Sequence, residues 1–342
     1  MNIFMNKVLL FRIVVSLVVV VGAIFLFFGP ASWRGGPKET ELFVVPQQMG
    51  DFDVAGELKK QGFVRNEWIT RIILEGSKIE SGGYRLSKSM WLWQVTFIVK
   101  SKPSLMWVTI TGCQRREQIG ENLQKALGWD TRKLEEFLTA YKALGEEYIE
   151  GVYYPDTYLL PVDETGSQIA KRFIDRFNGQ FAPYFQKFQD ANIRWVTALK
   201  IASLIEREAG GASDMKLISG IIWNRLNTGI KLQIDATMQY TKGPSTGAST
   251  ELSRTSSGLS RSWWGGIDLA EKQNESPYNT YLHAGLPPTP ICSPSITSID
   301  AVLNPEETDC LFYLHNKNKQ IHCAETYAEH KQNIQEYLTP SY

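Results

Sequence analysis

The chain has 342 residues, long enough for two soluble domains and a tail. Lysine plus arginine and aspartate plus glutamate both number 36, so no net field draws it toward nucleic acid or another polyanion, which argues against a nucleic-acid partner. Four histidines and four cysteines, with no C-x-x-C pair, speak against a zinc site, and neither metal nor cofactor is expected.

Residues 1–28 are a short tail and an apolar run. VLLFRIVVSLVVVVGAIFLFF (8–28) matches the ~20 residues that cross a bilayer as helix. Its one charge, Arg12, lies near the start, where a long side chain snorkels to the headgroups. The run exceeds the about 7–15 residues of a signal-peptide core and no A-x-A site follows, so a retained single-pass anchor is expected. Lys7 and Arg12 before it nearly balance Arg34 and Lys38 after it. The short N-terminal tail favours an exported body. Cys113, Cys292, Cys310 and Cys323 suit an oxidising exterior without demanding one.

GPASWRGGPKE reads as a linker, set at 29–40. The stretch 41–107 forms a small unit: strand ELFVVP, helices VAGELKKQGF and NEWITRIILEG, then strand SGGYRLS. That β-α-α-β order has the size of a binding module, marginal alone. MWLWQVTFIVKSKPSLMWVTI has strand composition, while its first half reads equally as a buried helix. The remainder, 108–342, reads as a mixed α+β domain. EQIGENLQKALG, TRKLEEFLTAYKAL and GSQIAKRFIDRFNGQFAPYFQKF are amphipathic helices. Past residue 240, KGPSTGAST and SRTSSGLSRS read as loops, and CLFYLHNKNKQIHC as a hairpin around a polar turn. Its end residues, Cys310 and Cys323, either face each other within disulfide reach or are two buried thiols.

ALKIASLIEREAGG (198–211) ends a greasy helix on two carboxylates, Glu206 and Glu208. At about 100° per residue, Ala198, Ile201, Ala202, Leu204 and Ile205 form an apolar arc, with the glutamates on its opposite borders and Arg207 pointing away. Periodicity does not rank the two acids. IIWNRLNTG is a further helix, with Arg225 free to orient a substrate or pair with an acid. In IKLQIDATMQY, Gln233 and Asp235 alternate with Ile234 as in a half-buried strand. EGVYYPDTYLLP offers Tyr154, Asp156 and Tyr158 about a proline turn, and SPYNTYLHAGLPPTPI displays Tyr278, Asn279 and Tyr281 on a loop. Flat rings and bidentate polar groups on fixed loops are what a glycan groove needs, although turns gather the same residues.

The set ASLIEREA, NRLNTGIKLQIDATMQY, SPYNTYLHAGLPPTPI and TYAEH, in that order behind one span, resembles the endolytic murein transglycosylases, the MltG or YceG-like family. EGVYYPDTY and GGYRL match its upstream signatures, and the resemblance runs from about residue 42 to 340. It implies a LysM-like module and a catalytic domain, both outside the cytoplasmic membrane, with peptidoglycan glycan strands as substrate. A membrane glycan polymerase is the expected neighbour. It also ranks the acids: the first of the E-x-E pair, Glu206, is the implied catalytic residue. Asp156, Arg225, Gln233, Asp235, Tyr278, Asn279 and Tyr281 are the candidate substrate-binding set.

The implied reaction is lytic. One glutamic acid protonates the oxygen leaving C1 of N-acetylmuramic acid, then takes the proton from that sugar's C6 hydroxyl as a 1,6-anhydro ring closes. An intramolecular nucleophile makes a second carboxylate dispensable. Two other readings stand beside it: a hydrolytic muramidase using Glu206 with Asp235, and a non-catalytic glycan-binding scaffold of wall synthesis. The chain departs from the family pattern at Ile110-Thr111-Gly112-Cys113 (usually I-P-E-G), at Asp235-Ala236-Thr237 (D-P-T) and at Thr289-Pro290-Ile291 (G-P-I). It departs again at Ile321-His322-Cys323 (H-x-F), which takes His322 off the family's histidine position.

Overall fold

A 27-residue apolar helix, α1 (Asn2–Phe28), opens the computed structural model, which describes residues 2–32, 39–48, 50, 52–242, 254–255, 258–259 and 263–338. Within it, Leu9–Phe28 is long and apolar enough to cross a membrane, with a mean hydropathy of 2.8. Residues 33–38 of the expected linker, KGPSTGAST after Lys242, and most of SRTSSGLSRS lie outside the described residues.

The chain forms two compact units, Met1–Val108 with Thr157–Asp163, and Thr109–Asp156 with Glu164–Tyr342. In the first, β1 (Glu41–Val45), α2 (Val54–Lys60), α3 (Glu67–Leu74) and β2 (Gly82–Leu86) follow the β-α-α-β order read from the sequence. α3 starts where the Asn66 side chain accepts from Ile69 N at 3.1 Å, a local capping bond that fixes the helix entry. β1 and β2 are antiparallel, Phe43 opposite Tyr84, and both rings are fully buried with Leu58, Phe63 and Leu86. The ambiguous stretch divides: Leu92–Lys100 is helix (α4) and Leu105–Thr109 is strand (β3). Pro103, between them, separates a helix burying Leu92, Val95 and Val99 from a strand pairing with β2. A fourth strand, β4 (Thr157–Pro161), completes the sheet in the order β1-β2-β3-β4. That strand falls within the 108–342 stretch but packs with the small unit. It comes back to the small unit's sheet after an excursion of the chain.

The second unit is mainly helical: α5 (Arg116–Leu127), α6 (Thr131–Thr139), α7 (Gly166–Asp190), α8 (Trp195–Glu208), α9 (Met215–Thr228) and α10 (Asp235–Lys242). After β5 (Arg254–Thr255) and β6 (Gly258–Leu259) come α11 (Ile296–Leu303), the hairpin β7 (Phe312–His315) and β8 (Ile321–Ala324), and α12 (Tyr327–Tyr337). Phe137, Tyr153 and Phe173 form an aromatic centre under α6 and α7. α8 is buried from Ala198 to Ile205 save Lys200, packed against α7, α9, α10 and α11. It therefore sits among helices. Cys310 and Cys323 are joined across the β7–β8 hairpin, and a second disulfide links Cys113 to Cys292.

Candidate active site

The last turn of α8 carries its two acids in opposite directions. Glu206, the residue implied to be catalytic, is occupied: its Oε2 accepts from Ser295 N at 3.1 Å and Ser295 Oγ at 2.6 Å, at the N-cap of α11. The N-terminal end of that helix favours a negative charge. Gly112 approaches its other oxygen so closely that a Cβ there would lie 2.7 Å from Oε1. Glu208, on the other border of the arc, accepts a 2.6 Å hydrogen bond from the Tyr313 hydroxyl on β7. The residue is half-buried, but its carboxyl group is enclosed. Burial pushes its pKa up, the Tyr313 bond and Arg207 oppose that, and the charge of Asp235 adds to it.

A cavity of about 400 Å³ lies in front of Glu208, lined also by Arg225, Gln233, Asp235, Tyr281, Tyr313 and His330. Arg225, 8% exposed on α9, donates to the carbonyls of Leu311 (2.5 Å) and Leu232 (2.6 Å) and stacks over Phe312 at 5.0 Å. It fastens the base of β7 and the 231–232 segment to one wall. Gln233 is not in a strand. It adopts φ 54°, in the left-handed region, where a non-glycine residue is uncommon. Its N–H donates to Thr280 O at 3.0 Å, and the chain then turns into α10 with Asp235 in its first turn. Asp235 accepts from the Tyr281 hydroxyl and is paired with Lys272 at 3.1 Å.

Four of the seven candidate binding residues thus meet at one cavity with Glu208. The other three do not. Asp156 is paired with Arg176 at 2.7 Å. Asn279, fully buried, donates to the carbonyls of Lys272 and Asn274 and accepts from Tyr281 N, pinning its own loop. Tyr278 bonds Thr289 through its hydroxyl (2.8 Å) and packs its ring on Tyr240 at 5.0 Å. Tyr313, Phe312 and His330 were missed as site residues. His330 belongs to TYAEH, so its motif was legible but its role was not. Among the described residues no group of three or more His, Cys, Asp or Glu converges as a metal site would.

A model of the YceG-like family matches residues 43–336. The chain belongs to the YceG-like family. It is 28% identical over 200 residues to the endolytic murein transglycosylase of Streptococcus pneumoniae serotype 2 strain D39, covering 58% of this chain and 34% of that protein. With the endolytic murein transglycosylase of Bacillus subtilis strain 168 it shares 28% over 192 residues, covering 56% and 48%. The chain therefore spans between about a third and a half of the length of these curated relatives. A crystal structure of a YceG-like protein from Listeria monocytogenes aligns with a TM-score of 0.57 at 22% identity, covering 86% of this chain and 99% of that one, a likeness of fold.

The departures from the YceG-like pattern now have locations. Cys113, where the family usually has glycine, is bonded to Cys292, which follows the altered Thr289-Pro290-Ile291. That link ties the Gly112 turn to the segment leading into Ser295, the hydrogen-bond partner of Glu206. His322 stacks on Tyr337 at 3.6 Å and bonds Asn316 at 3.1 Å, away from the residues lining the cavity.

Proposed function

We propose that this chain is a membrane-anchored endolytic lytic transglycosylase of peptidoglycan, and that Glu208, in place of Glu206, is its general acid and base. The observation that carries the assignment is the enclosed Glu208 carboxyl, with its raised pKa, facing a cavity beside Asp235. A protonated Glu208 gives its proton to the glycosidic oxygen as the bond to C1 of N-acetylmuramic acid breaks. The resulting carboxylate takes the proton of the C6 hydroxyl as O6 bonds C1, leaving Glu208 protonated again. Tyr313 holds the carboxyl in place, while Tyr281 and Lys272 hold Asp235 in position.

The names of the relatives support the substrate class. The α1 span supports the anchor, and two disulfides in one unit support an oxidising side of the membrane. A LysM-like glycan-binding role for the small unit draws support from a groove lined by Phe52, Trp68 and Ile72, with Trp68 70% exposed. A membrane glycan polymerase remains the proposed neighbour, since an anchored cutter reaches strands near the bilayer.

Asp235 in the same cavity favours a second reading, a hydrolytic muramidase with Glu208 as acid and Asp235 as second carboxylate. Mass spectrometry of the products separates them. Chains ending in 1,6-anhydro-N-acetylmuramic acid, lighter by one water, fit the lytic reaction; ends reducible by borohydride fit hydrolysis. Tight glycan binding without cleavage by the wild type would leave the scaffold. Glu208→Gln is expected to lower the rate by about 10²–10⁴-fold.

A further inference from the structure

Tyr278 and Tyr240 lead to a second cluster, apart from the residues lining the cavity. Arg115, 6% exposed at the start of α5, has its guanidinium 4.3 Å from the Tyr240 ring centre, 5.0 Å from Trp263 and 5.8 Å from Trp264. Arg207, between the two acids of α8, lies 4.2 Å over the same Trp264 ring. Arg115 Nε and Nη1 and Arg207 Nε are buried and meet no hydrogen-bond acceptor among the described residues. The nearest acid to Arg115, Glu117, stands 3.8 Å from Nε and is also paired with Arg116 at 3.1 Å. Glu150 is the other acid of the cluster, accepting from Arg116 N at 3.2 Å and from Tyr240 at 3.4 Å. Burial pushes it up to about 8, so near neutral pH it is mostly uncharged. Arg115 and Arg116 then share the Glu117 carboxylate, and buried charge left short of partners is costly.

We propose that Arg115, Arg207 and the Trp263–Trp264 pair form a receptor for a carboxylate on the peptide substituents of the glycan strand. The proposal rests on the transglycosylase reading. Rings cover the guanidinium faces and leave their in-plane N–H edges, and a planar carboxylate meets such an edge with paired hydrogen bonds. The half-buried Trp264, with Arg207 4.2 Å and Arg115 5.8 Å from its ring centre, is the wall the two arginines share. Arg207 places this receptor one residue from Glu208, so it selects strands by what hangs beside the bond to be cut.

The test is binding of glycan strands with intact peptides, and of the same strands stripped by an amidase, to the full chain carrying Glu208→Gln. Peptide-bearing strands should bind about tenfold more tightly, and Arg115→Gln and Trp264→Leu should each bring that ratio toward one. Trp264→Leu, at a half-buried ring, keeps the test sound if Arg115→Gln fails to fold. Equal affinity for both strands, or an unchanged ratio in Trp264→Leu, overturns the receptor. Cleavage by the wild type is scored separately: its absence with a peptide-dependent ratio would remove the reaction and leave the receptor.

Discussion

Glu150 is the deepest acid of the second unit, with no exposed area. Because its folded pKa, about 8, lies above the ordinary 4.5, the native state keeps a proton that the unfolded chain releases. Its contribution to stability is therefore intact below about pH 4.5, declines as pH rises to about 8, and is flat above that. Denaturant midpoints at pH 5 and pH 8 should show this loss, a few kcal/mol, and Glu150→Gln should abolish most of the slope. Glu206→Gln tests the other acid. Because it holds Ser295, the N-cap of α11, its loss should cost about 1 kcal/mol of stability and less than about tenfold in rate. A loss comparable to that of Glu208→Gln would return the catalytic role to Glu206. The helical wheel put both acids on borders of one arc and could go no further. What separates them lies opposite each border, Ser295 on one side and Tyr313 on the other, 89 and 105 residues away in sequence.

At the level of elements, local patterns were legible where the chain satisfies itself locally. Helices α2 and α3 of the small unit, the amphipathic α5–α7 and the 310–323 hairpin follow from periodicity, caps and turns. The 230–242 stretch was misread because its alternation is real but short. Leu232, Ile234 and Ala236 are all buried, yet Gln233 turns left-handed and a helix follows. Nothing local announces Thr280, whose hydroxyl and carbonyl hold that turn. The Cys113–Cys292 link was equally invisible, spanning 179 residues against 13 for the hairpin pair. Closing a longer loop removes more freedom from the unfolded chain. Serine in place of Cys113 and Cys292 should lower stability by about 4–5 kcal/mol, against about 3 for Cys310 and Cys323, read from thermal unfolding of the two double variants.

For the whole molecule, the span and the disulfides make joint demands. A C-terminal reporter should be active only on the far side of the membrane, and alkylation of the unfolded, unreduced chain should find no free thiol. Four free thiols would place the body in a reducing compartment. Deleting residues 1–35 should release a soluble chain that still acts on isolated glycan. The order of synthesis adds a constraint of its own. β3 leaves the ribosome ahead of the whole Thr109–Asp156 segment, and its partner β4 comes only afterwards. At about 5–20 residues per second, the sheet waits several seconds with an open edge. An open edge recruits strangers. The small unit therefore completes itself only once the first helices of its neighbour have been made, and a slow or stalled ribosome within that segment is where this chain is most exposed to aggregation.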